Sequence, residues 1–133
     1  MKLILIRGIP GSGKSTLACQ LYNADPDECV HFEADMFFMK QGKYEFDRNQ
    51  IAQAHDWCQA QTTMSLANDK TVIVSNTFTT IKELLPYFQI AKSWNMTPVV
   101  YTCHNDWGNI HNVPFETIIA MKQRFEHNIS VLF

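Results

Sequence analysis

The sequence lacks any concentration of charge of one sign. Its 133 residues contain 11 Lys and Arg against 13 Asp and Glu, a formal net charge of −2, and the basic residues form no run. A protein that follows a phosphodiester backbone by electrostatics needs a basic stripe. Bulk charge therefore gives no support to polynucleotide binding. The 46% of hydrophobic residues and 18% of charged residues exclude a disordered chain and predict one globular domain over residues 1–133.

The sequence also lacks paired cysteines and long apolar runs. Cys19, Cys29, Cys58 and Cys103 lie far apart without a C-x-x-C pair, which gives no support to zinc ribbons and thioredoxin-like sites and favours free thiols in a reducing compartment. The apolar run at residues 3–6 is too short for a signal-peptide core, and no stretch reaches bilayer-spanning length. We expect a soluble cytoplasmic protein without a membrane partner.

Strand and helix patterns alternate along the chain, which predicts an α/β fold built on a sheet with crossover helices. The run K-L-I-L-I-R at residues 2–7 is typical of a buried central strand. Further strands are predicted at residues 30–33, 71–75 and 99–103, with a brief last strand at 129–133. Helices are predicted at 13–22, at 48–67 after a capping box of Asp47 and Gln50, from 81 with a kink or a late start because of Pro86, and from Pro114.

The segment from Gly8 to Ser15 matches G-x-x-x-x-G-K-[ST] at every fixed position, between a predicted strand and a predicted helix. Glycines allow backbone N–H groups to turn inward around a phosphate, and the helix N-terminus adds partial positive charge. We expect Lys14 to neutralise the β- and γ-phosphates and the Ser15 hydroxyl to ligand Mg²⁺. The predicted site for ATP, or GTP, with Mg²⁺ consists of Gly8, Gly11, Ser12, Gly13, Lys14, Ser15 and Thr16.

Polar residues follow the other strands at the edge of the sheet where ligands bind in open α/β folds. They are Glu33 and Asp35, then Asn76 and Thr77, then His104, Asn105 and Asp106. Asp35 is the candidate general base, because a carboxylate can orient an attacking hydroxyl and accept its proton; it could instead cap a short helix at Met36. Glu33 is interpreted as a strand-end surface charge. Asn76 is either a ligand to Mg²⁺-bound water or a turn residue.

Three weaker patterns admit structural explanations. Cys103, His104 and His111 could form a metal site, but nothing enforces a fourth ligand. His55 and Cys58 share a helix, where packing is the simpler role than a Cys-His catalytic pair. The aromatic residues between 37 and 46 could stack on a nucleobase or fill a core.

Several motifs together resemble a known family. R-G-I-P-G-S-G-K-S-T, A-D-M-F-F, V-I-V-S-N-T-F-T and H-N-V-P-F-E are similar, within a match from about Lys2 to Glu126, to small phage and cellular ATP-binding proteins related to the kinase domain of bacteriophage polynucleotide kinase. The resemblance implies a three-layer α/β/α P-loop sandwich with a mostly parallel sheet of four to five strands in the order 2-3-1-4. It also implies ATP as the phosphoryl donor, and Asp35 as the aspartate that activates an acceptor 5′-hydroxyl.

The chain departs from that family in its cations. Residues 104–113, where the family has an arginine-bearing lid, contain no Lys or Arg, and Phe38 stands where another arginine is expected. Arg48, Lys82, Arg124 or a partner protein could substitute. Two hypotheses follow: a kinase that phosphorylates a nucleic-acid 5′ end or a small hydroxyl compound, and a nucleotide-dependent binding module or switch with little turnover.

Overall fold

A computed structural model of the chain describes residues 1–106 and 113–133. The strands are β1 (Leu3–Arg7), β2 (Cys29–Phe32), β3 (Met39–Lys40), β4 (Lys43–Tyr44), β5 (Thr71–Asn76) and β6 (Val99–Thr102). The helices are α1 (Lys14–Ala24), α2 (Ile51–Ala67), α3 (Ile81–Lys92) and α4 (Phe115–Arg124). Short 3₁₀ turns cover Ala34–Phe38, Arg48–Gln50 and Ser130–Leu132.

Four strands form one parallel sheet in the order β2-β5-β1-β6, while β3 and β4 form a separate antiparallel hairpin. This confirms the order 2-3-1-4 implied by the family resemblance. Arg7, at the end of β1, is in register with Asn76 on one side and Thr102 on the other. The carboxyl ends of the three strands therefore meet directly below the glycine-rich loop.

The sheet is covered on both faces, as a three-layer sandwich requires. Leu3 and Leu5 of β1 point into a core shared with α2 and α3, whereas Ile4 and Ile6 face α1. This alternation follows from the two-residue period of a strand. Because both faces are buried, β1 is apolar from Leu3 to Ile6, which is why its sequence is a continuous hydrophobic run before Arg7.

Several predicted boundaries need correction. The strand predicted at 129–133 is wrong, because Ser130–Leu132 is a 3₁₀ turn in which the Asn128 side chain accepts hydrogen bonds from the Ser130 amide and hydroxyl. Such local bonds compete with an extended strand. The helix predicted from 48 begins as a 3₁₀ turn, where the Asp47 side chain accepts from the Asn49 amide.

Helix α3 does not start late, although Pro86 lies inside it. It begins at Ile81 with a complete capping box, in which Thr80 accepts from the Glu83 amide and the Glu83 carboxylate accepts from the Thr80 amide. The capping box satisfies donors that would otherwise be unpaired at the helix start.

Most of the predicted lid, residues 104–113, lies outside the described residues; only 104–106 and 113 are described. In the described parts of the chain, no helix combines the length and the apolar character needed to cross a bilayer.

Candidate functional site

The glycine-rich loop leads from the central strand β1 directly into α1. Gly13 is the N-cap of α1 in a left-handed conformation, with φ 100°, and no side chain bonds to the first turn. Only glycine adopts this backbone conformation without strain. The first-turn amides of α1 are thus not occupied by a capping side chain, which suits an anion at the helix N-terminus.

The loop closes tightly at its first glycine. A Cβ atom at Gly8 would lie 2.3 Å from Ser12 Oγ and 3.0 Å from the Cys103 carbonyl oxygen. The Gly8 amide donates to the Thr77 carbonyl at 3.2 Å, which fixes the loop to the residue after β5. Any larger residue at position 8 would open the loop, so the match to the motif at this position has a steric cause.

Lys14 lies over the loop. Its Nζ donates to the Ile9 carbonyl at 3.0 Å, and it forms no salt bridge within residues 1–106 and 113–133. Burial lowers the pKa of Lys14, while Glu33 and Cys103 oppose this effect. The buried Ser12 hydroxyl has no hydrogen-bond partner in the described structure. An ammonium that donates to a neutral carbonyl, and an unpaired hydroxyl on the same loop, fit a polyphosphate ligand.

The predicted Mg²⁺ ligand, Ser15, is exposed in the first turn of α1, next to exposed Thr16. Its hydroxyl would hold the ion together with phosphate oxygens. Gly11, with φ 83°, completes the loop between Ile9 and Ser12. All seven predicted phosphate-binding residues thus lie on one continuous loop and helix start.

Two cavities flank the end of β6, on the same side of the loop. The first, of about 330 Å³, is lined by loop residues, by residues after β6 and by the segment after α4: Ile9, Ser12, Cys103, His104, Asn105, Asp106, Lys122, Phe125 and His127. The second, of about 490 Å³, includes Gly13, Thr16 and Gln20 of the loop and α1. Both volumes fall in the usual range of small-molecule sites. The side chains of His104 and His127 stack at 6.1 Å between centroids.

Lys122 is a cation that the sequence interpretation missed. It lines the first cavity. Arg48, Lys82 and Arg124, which the sequence offered as replacements for the missing arginines, line neither cavity. Arg48 and Lys82 are exposed, and Arg124 Nε donates to Thr79 Oγ1 at 3.1 Å. One sequence signal pointed to Lys122: it falls in the otherwise apolar stripe of α4, at a position one turn before Phe125.

Asp35 lies on the other side of β1, in the 3₁₀ turn that follows β2. The N-cap of that turn is Glu33, so the alternative that Asp35 caps a helix is wrong. The exposed Asp35 carboxylate accepts a hydrogen bond from the Tyr44 hydroxyl at 2.5 Å. The Tyr44 hydroxyl thus occupies Oδ1 of Asp35, and an incoming hydroxyl reaches that oxygen only by displacing it.

Glu33 is not simply a surface charge. Its Oε1 accepts from Ser75 Oγ at 2.9 Å and lies 3.6 Å from His31 Nε2, which is 2.7 Å from the same hydroxyl. Burial lowers the pKa of His31, and the Glu33 carboxylate opposes that shift. Because Glu33 also acts electrostatically on Lys14, this held carboxylate belongs to the loop's surroundings.

Asn76 joins two parts of the site. It is the buried last residue of β5, and its Oδ1 accepts from the Ala34 amide at 2.9 Å while its Nδ2 donates to Cys58 Sγ at 3.9 Å. The turn interpretation of Asn76 is therefore wrong. Its side chain fixes the start of the turn that carries Asp35.

The weaker sequence patterns resolve in different ways. His111 lies outside the described residues, and within the described ones no group of three His, Cys, Asp or Glu side chains is placed to hold a metal. His55 is exposed while Cys58 is buried, so they do not form a catalytic pair. Of the aromatic residues, Phe38 is buried in the core and packs against Phe37 and Phe46.

Comparisons with known proteins agree with this geometry. A family model described as an AAA domain matches residues 3–127. Human NEDD4-binding protein 2 is 29% identical over 140 residues, covering 97% of this chain but 8% of that protein. An uncharacterized protein of Pasteurella multocida (strain Pm70) is 29% identical over 131 residues, covering 90% of this chain and 73% of its own length.

A solved structure shares the fold. A chain of the Pnkp1/Rnl/Hen1 RNA repair complex superposes with a TM-score of 0.64 at 22% identity, over 96% of this chain and 38% of that one. The chain thus spans a minor part of two of these relatives. The family resemblance drawn from the sequence motifs is confirmed. With a model match over residues 3–127 and a P-loop at the end of the central strand, the chain belongs to the AAA domain family, with a P-loop kinase-like fold.

Proposed function

We propose that this protein is a P-loop kinase that binds ATP with Mg²⁺ on residues 8–16 and transfers the γ-phosphoryl group to a hydroxyl acceptor at Asp35. One observation carries the proposal: the loop at the end of β1 has two cavities on its β6 side and an exposed carboxylate beyond its β5 side. A donor nucleotide and an acceptor thus have separate approaches to the same phosphate-binding loop.

The donor would be held by the loop and by the cavity walls. Backbone amides and Lys14 contact the phosphates, and the nucleoside extends toward the cavities beside Cys103. Magnesium, held by Ser15 and phosphate oxygens, neutralises phosphate charge when bound. Lys122, at the first cavity, is the cation that we propose in place of the missing lid arginines.

The acceptor would approach from the side of β2. The acceptor oxygen forms a bond to the γ-phosphorus while the bond from that phosphorus to the β–γ bridging oxygen breaks, and ADP leaves. Asp35 orients the acceptor hydroxyl and accepts its proton. Glu33 and Asn76 act by holding the surrounding backbone and the charge near Lys14.

Two observations guide the choice of acceptor to test: the origin of a structural relative and the net charge of the chain. Because a structural relative comes from an RNA repair complex, a nucleic-acid 5′-hydroxyl is the first acceptor to test. A nucleoside or another small hydroxyl compound is the alternative, given the net charge of −2. The four free thiols favour a reducing compartment, and we place the activity in the cytoplasm.

The test is transfer of labelled γ-phosphate from ATP to 5′-hydroxyl oligonucleotides and to nucleosides. We expect Asp35→Asn to lose at least about a hundredfold in transfer rate while still binding ATP, since general-base catalysis contributes that much. Lys14→Met should lose both binding and transfer. Asp69→Asn, an exposed aspartate after α2, is the matched control and should equal the wild type. Transfer no greater than that of Asp35→Asn with every acceptor would refute the kinase.

A nucleotide-dependent switch is the second candidate, favoured by the absence of Lys and Arg from residues 104–113. It predicts ATP binding that depends on Lys14 without transfer to any acceptor, and a partner protein whose affinity changes with nucleotide. Equal partner affinity with and without nucleotide would exclude it.

A further inference from the structure

Tyr44 is fixed beside Asp35 by a short hairpin. It pairs with Met39 across β3 and β4, and the two connecting residues, Gln41 and Gly42, have φ angles of 51° and 78°. Two left-handed residues in a row are typical of a type I′ turn, which matches the twist of a tight hairpin. The hairpin thus determines where the tyrosine hydroxyl lies.

The hairpin is also attached to the turn that carries Asp35. The Glu45 amide donates to the Phe38 carbonyl at 2.8 Å, and the Tyr44 ring meets the buried Phe38 ring edge-on at 6.3 Å between centroids. Tyr44 and Asp35 therefore belong to one folded unit of residues 34–45. The contact between them does not depend on a long flexible side chain reaching across solvent.

The bond from Tyr44 to Asp35 resembles the bond that a phosphoryl-acceptor hydroxyl would make to its general base. A hydroxyl group donates to a carboxylate oxygen at 2.5 Å, which is within the distance needed for a general base to accept a proton. Burial and this bond raise the pKa of Tyr44 to about 12, so the phenol is neutral at physiological pH and donates the proton of this hydrogen bond.

We propose that Tyr44 is a specificity-determining residue, whose hydroxyl occupies Oδ1 of Asp35 until an acceptor displaces it and thereby keeps water from being activated at that oxygen. The inference rests on the proposed kinase function. A P-loop kinase must prefer its acceptor to water, which is present at far higher concentration. This hydroxyl competes with a water molecule that would make the same single bond to Oδ1, but it yields to an acceptor that makes further contacts with the protein.

Because Tyr44 is exposed, the effect of its hydroxyl on Asp35 can be tested apart from its contribution to packing. Tyr44 is 52% exposed, and its ring packs edge-on against the buried Phe38 ring. Removing the hydroxyl leaves that ring contact and the hairpin bonds in place. Tyr44→Phe thus changes the occupancy of Asp35 with little change in packing.

The test compares acceptor-free ATP hydrolysis with transfer kinetics in Tyr44→Phe. We expect hydrolysis to rise about fivefold or more, the acceptor KM to fall, and kcat for transfer to change less than about twofold, because about 1 kcal/mol of hydrogen-bond competition is removed. In an Asp35→Asn background the substitution should have no effect. Tyr22→Phe, at an exposed tyrosine of α1, is the matched control.

Unchanged or lower hydrolysis in Tyr44→Phe would overturn the inference, and so would phosphate found by mass spectrometry on Tyr44, which would make it an acceptor. The hydrolysis measurement needs no acceptor, so it decides the role of Tyr44 even if no compound is phosphorylated and the kinase proposal fails. Carbon-13 NMR of labelled tyrosine at pH 10.5 gives an independent reading of the contact. Tyr44 should remain protonated there in the wild type and become partly ionised in Asp35→Asn.

Discussion

The guanidinium carbon of Arg7 lies 4.2 Å from the centroid of the Phe125 ring. The same group donates from Nε and Nη2 to the Phe78 carbonyl at 3.0 and 2.8 Å, and from Nη2 to the Thr79 carbonyl at 3.3 Å. Burial lowers the pKa of Arg7, which the Glu126 and Glu83 carboxylates oppose. A fully buried cation one residue before the P-loop thus joins β1 to the cavity wall that contains Phe125.

Replacing Arg7 with Met should destabilise the protein. Met replaces only the aliphatic part of the Arg side chain. The Phe78 carbonyl then loses its two donors, so the free energy of unfolding should fall by about 2–3 kcal/mol. Urea denaturation measures this. Arg48→Met, at an exposed site, should stay within about 0.5 kcal/mol of the wild type. A stable Arg7→Met protein would mean that Arg7 does not hold the loop after β5.

Replacing Gly8 with Ala should weaken nucleotide binding by about 5- to 150-fold, because overpacking a close contact costs about 1–3 kcal/mol. The new Cβ would lie 2.3 Å from Ser12 Oγ. Isothermal titration with Mg-ATP measures the affinity. Since the main clash is with that hydroxyl, the double variant Gly8→Ala, Ser12→Ala should recover part of the loss. No difference between the single and double variants would argue against this steric explanation.

Asn76→Ala should reduce phosphoryl transfer without weakening ATP binding. It leaves the buried Ala34 amide without its acceptor, a cost of about 1–3 kcal/mol, and releases the turn that holds Asp35. Steady-state kinetics and a thermal melt should both change. Asn23→Ala makes the same substitution at an exposed position of α1 and is the matched control. An unaltered transfer rate in Asn76→Ala would show that this bond does not position Asp35.

The capping box of α3 predicts a stability change independent of function. Thr80→Ala removes the acceptor for the Glu83 amide and should lower the free energy of unfolding by about 1 kcal/mol. Thr63→Ala, in the middle of α2 and exposed, should be neutral or slightly stabilising, because Ala has the higher helix propensity. Equal effects of the two substitutions in chemical denaturation would contradict the assignment of Thr80 as the cap.

Lys122→Met should slow transfer by about ten- to a hundredfold with a smaller effect on acceptor KM, if its charge acts on the phosphates. The matched control is Lys92→Met at the exposed end of α3. Single-turnover measurements with saturating ATP separate the chemical step from binding. A rate equal to that of Lys92→Met would show that Lys122 does not supply the charge that arginines in the lid supply in the related family.

The sequence was sufficient for the sheet and the loop because both are recorded in local patterns. A continuous apolar run, a β-branched run and G-x-x-x-x-G-K-S each depend on neighbouring residues, and the order of the four strands followed from the resemblance. The apolar residues at 129–133 wrongly predicted a strand, because apolar content does not distinguish a strand from a turn that is held by the Asn128 side chain.

Side-chain partners across the fold could not be predicted in this way. Arg7 and Phe78 are 71 residues apart, and Ser75 and Glu33 are 42 apart. Periodicity indicates which face a residue occupies but not which side chain it meets there. Tyr44 was visible only as one aromatic among several; its bond to Asp35 depends on the hairpin turn at Gln41 and Gly42.

The position of β6 at the end of the sheet has a consequence for handling the protein. Among the described residues β6 pairs only with β1, so it is an edge strand of the sheet, and Val99 and Tyr101 on it are exposed. Open edges of this kind promote intermolecular β-pairing and aggregation. The strand has only four residues and follows Pro98, which has no N–H to donate. This short, proline-flanked edge should keep concentrated solutions from forming extended intermolecular sheets.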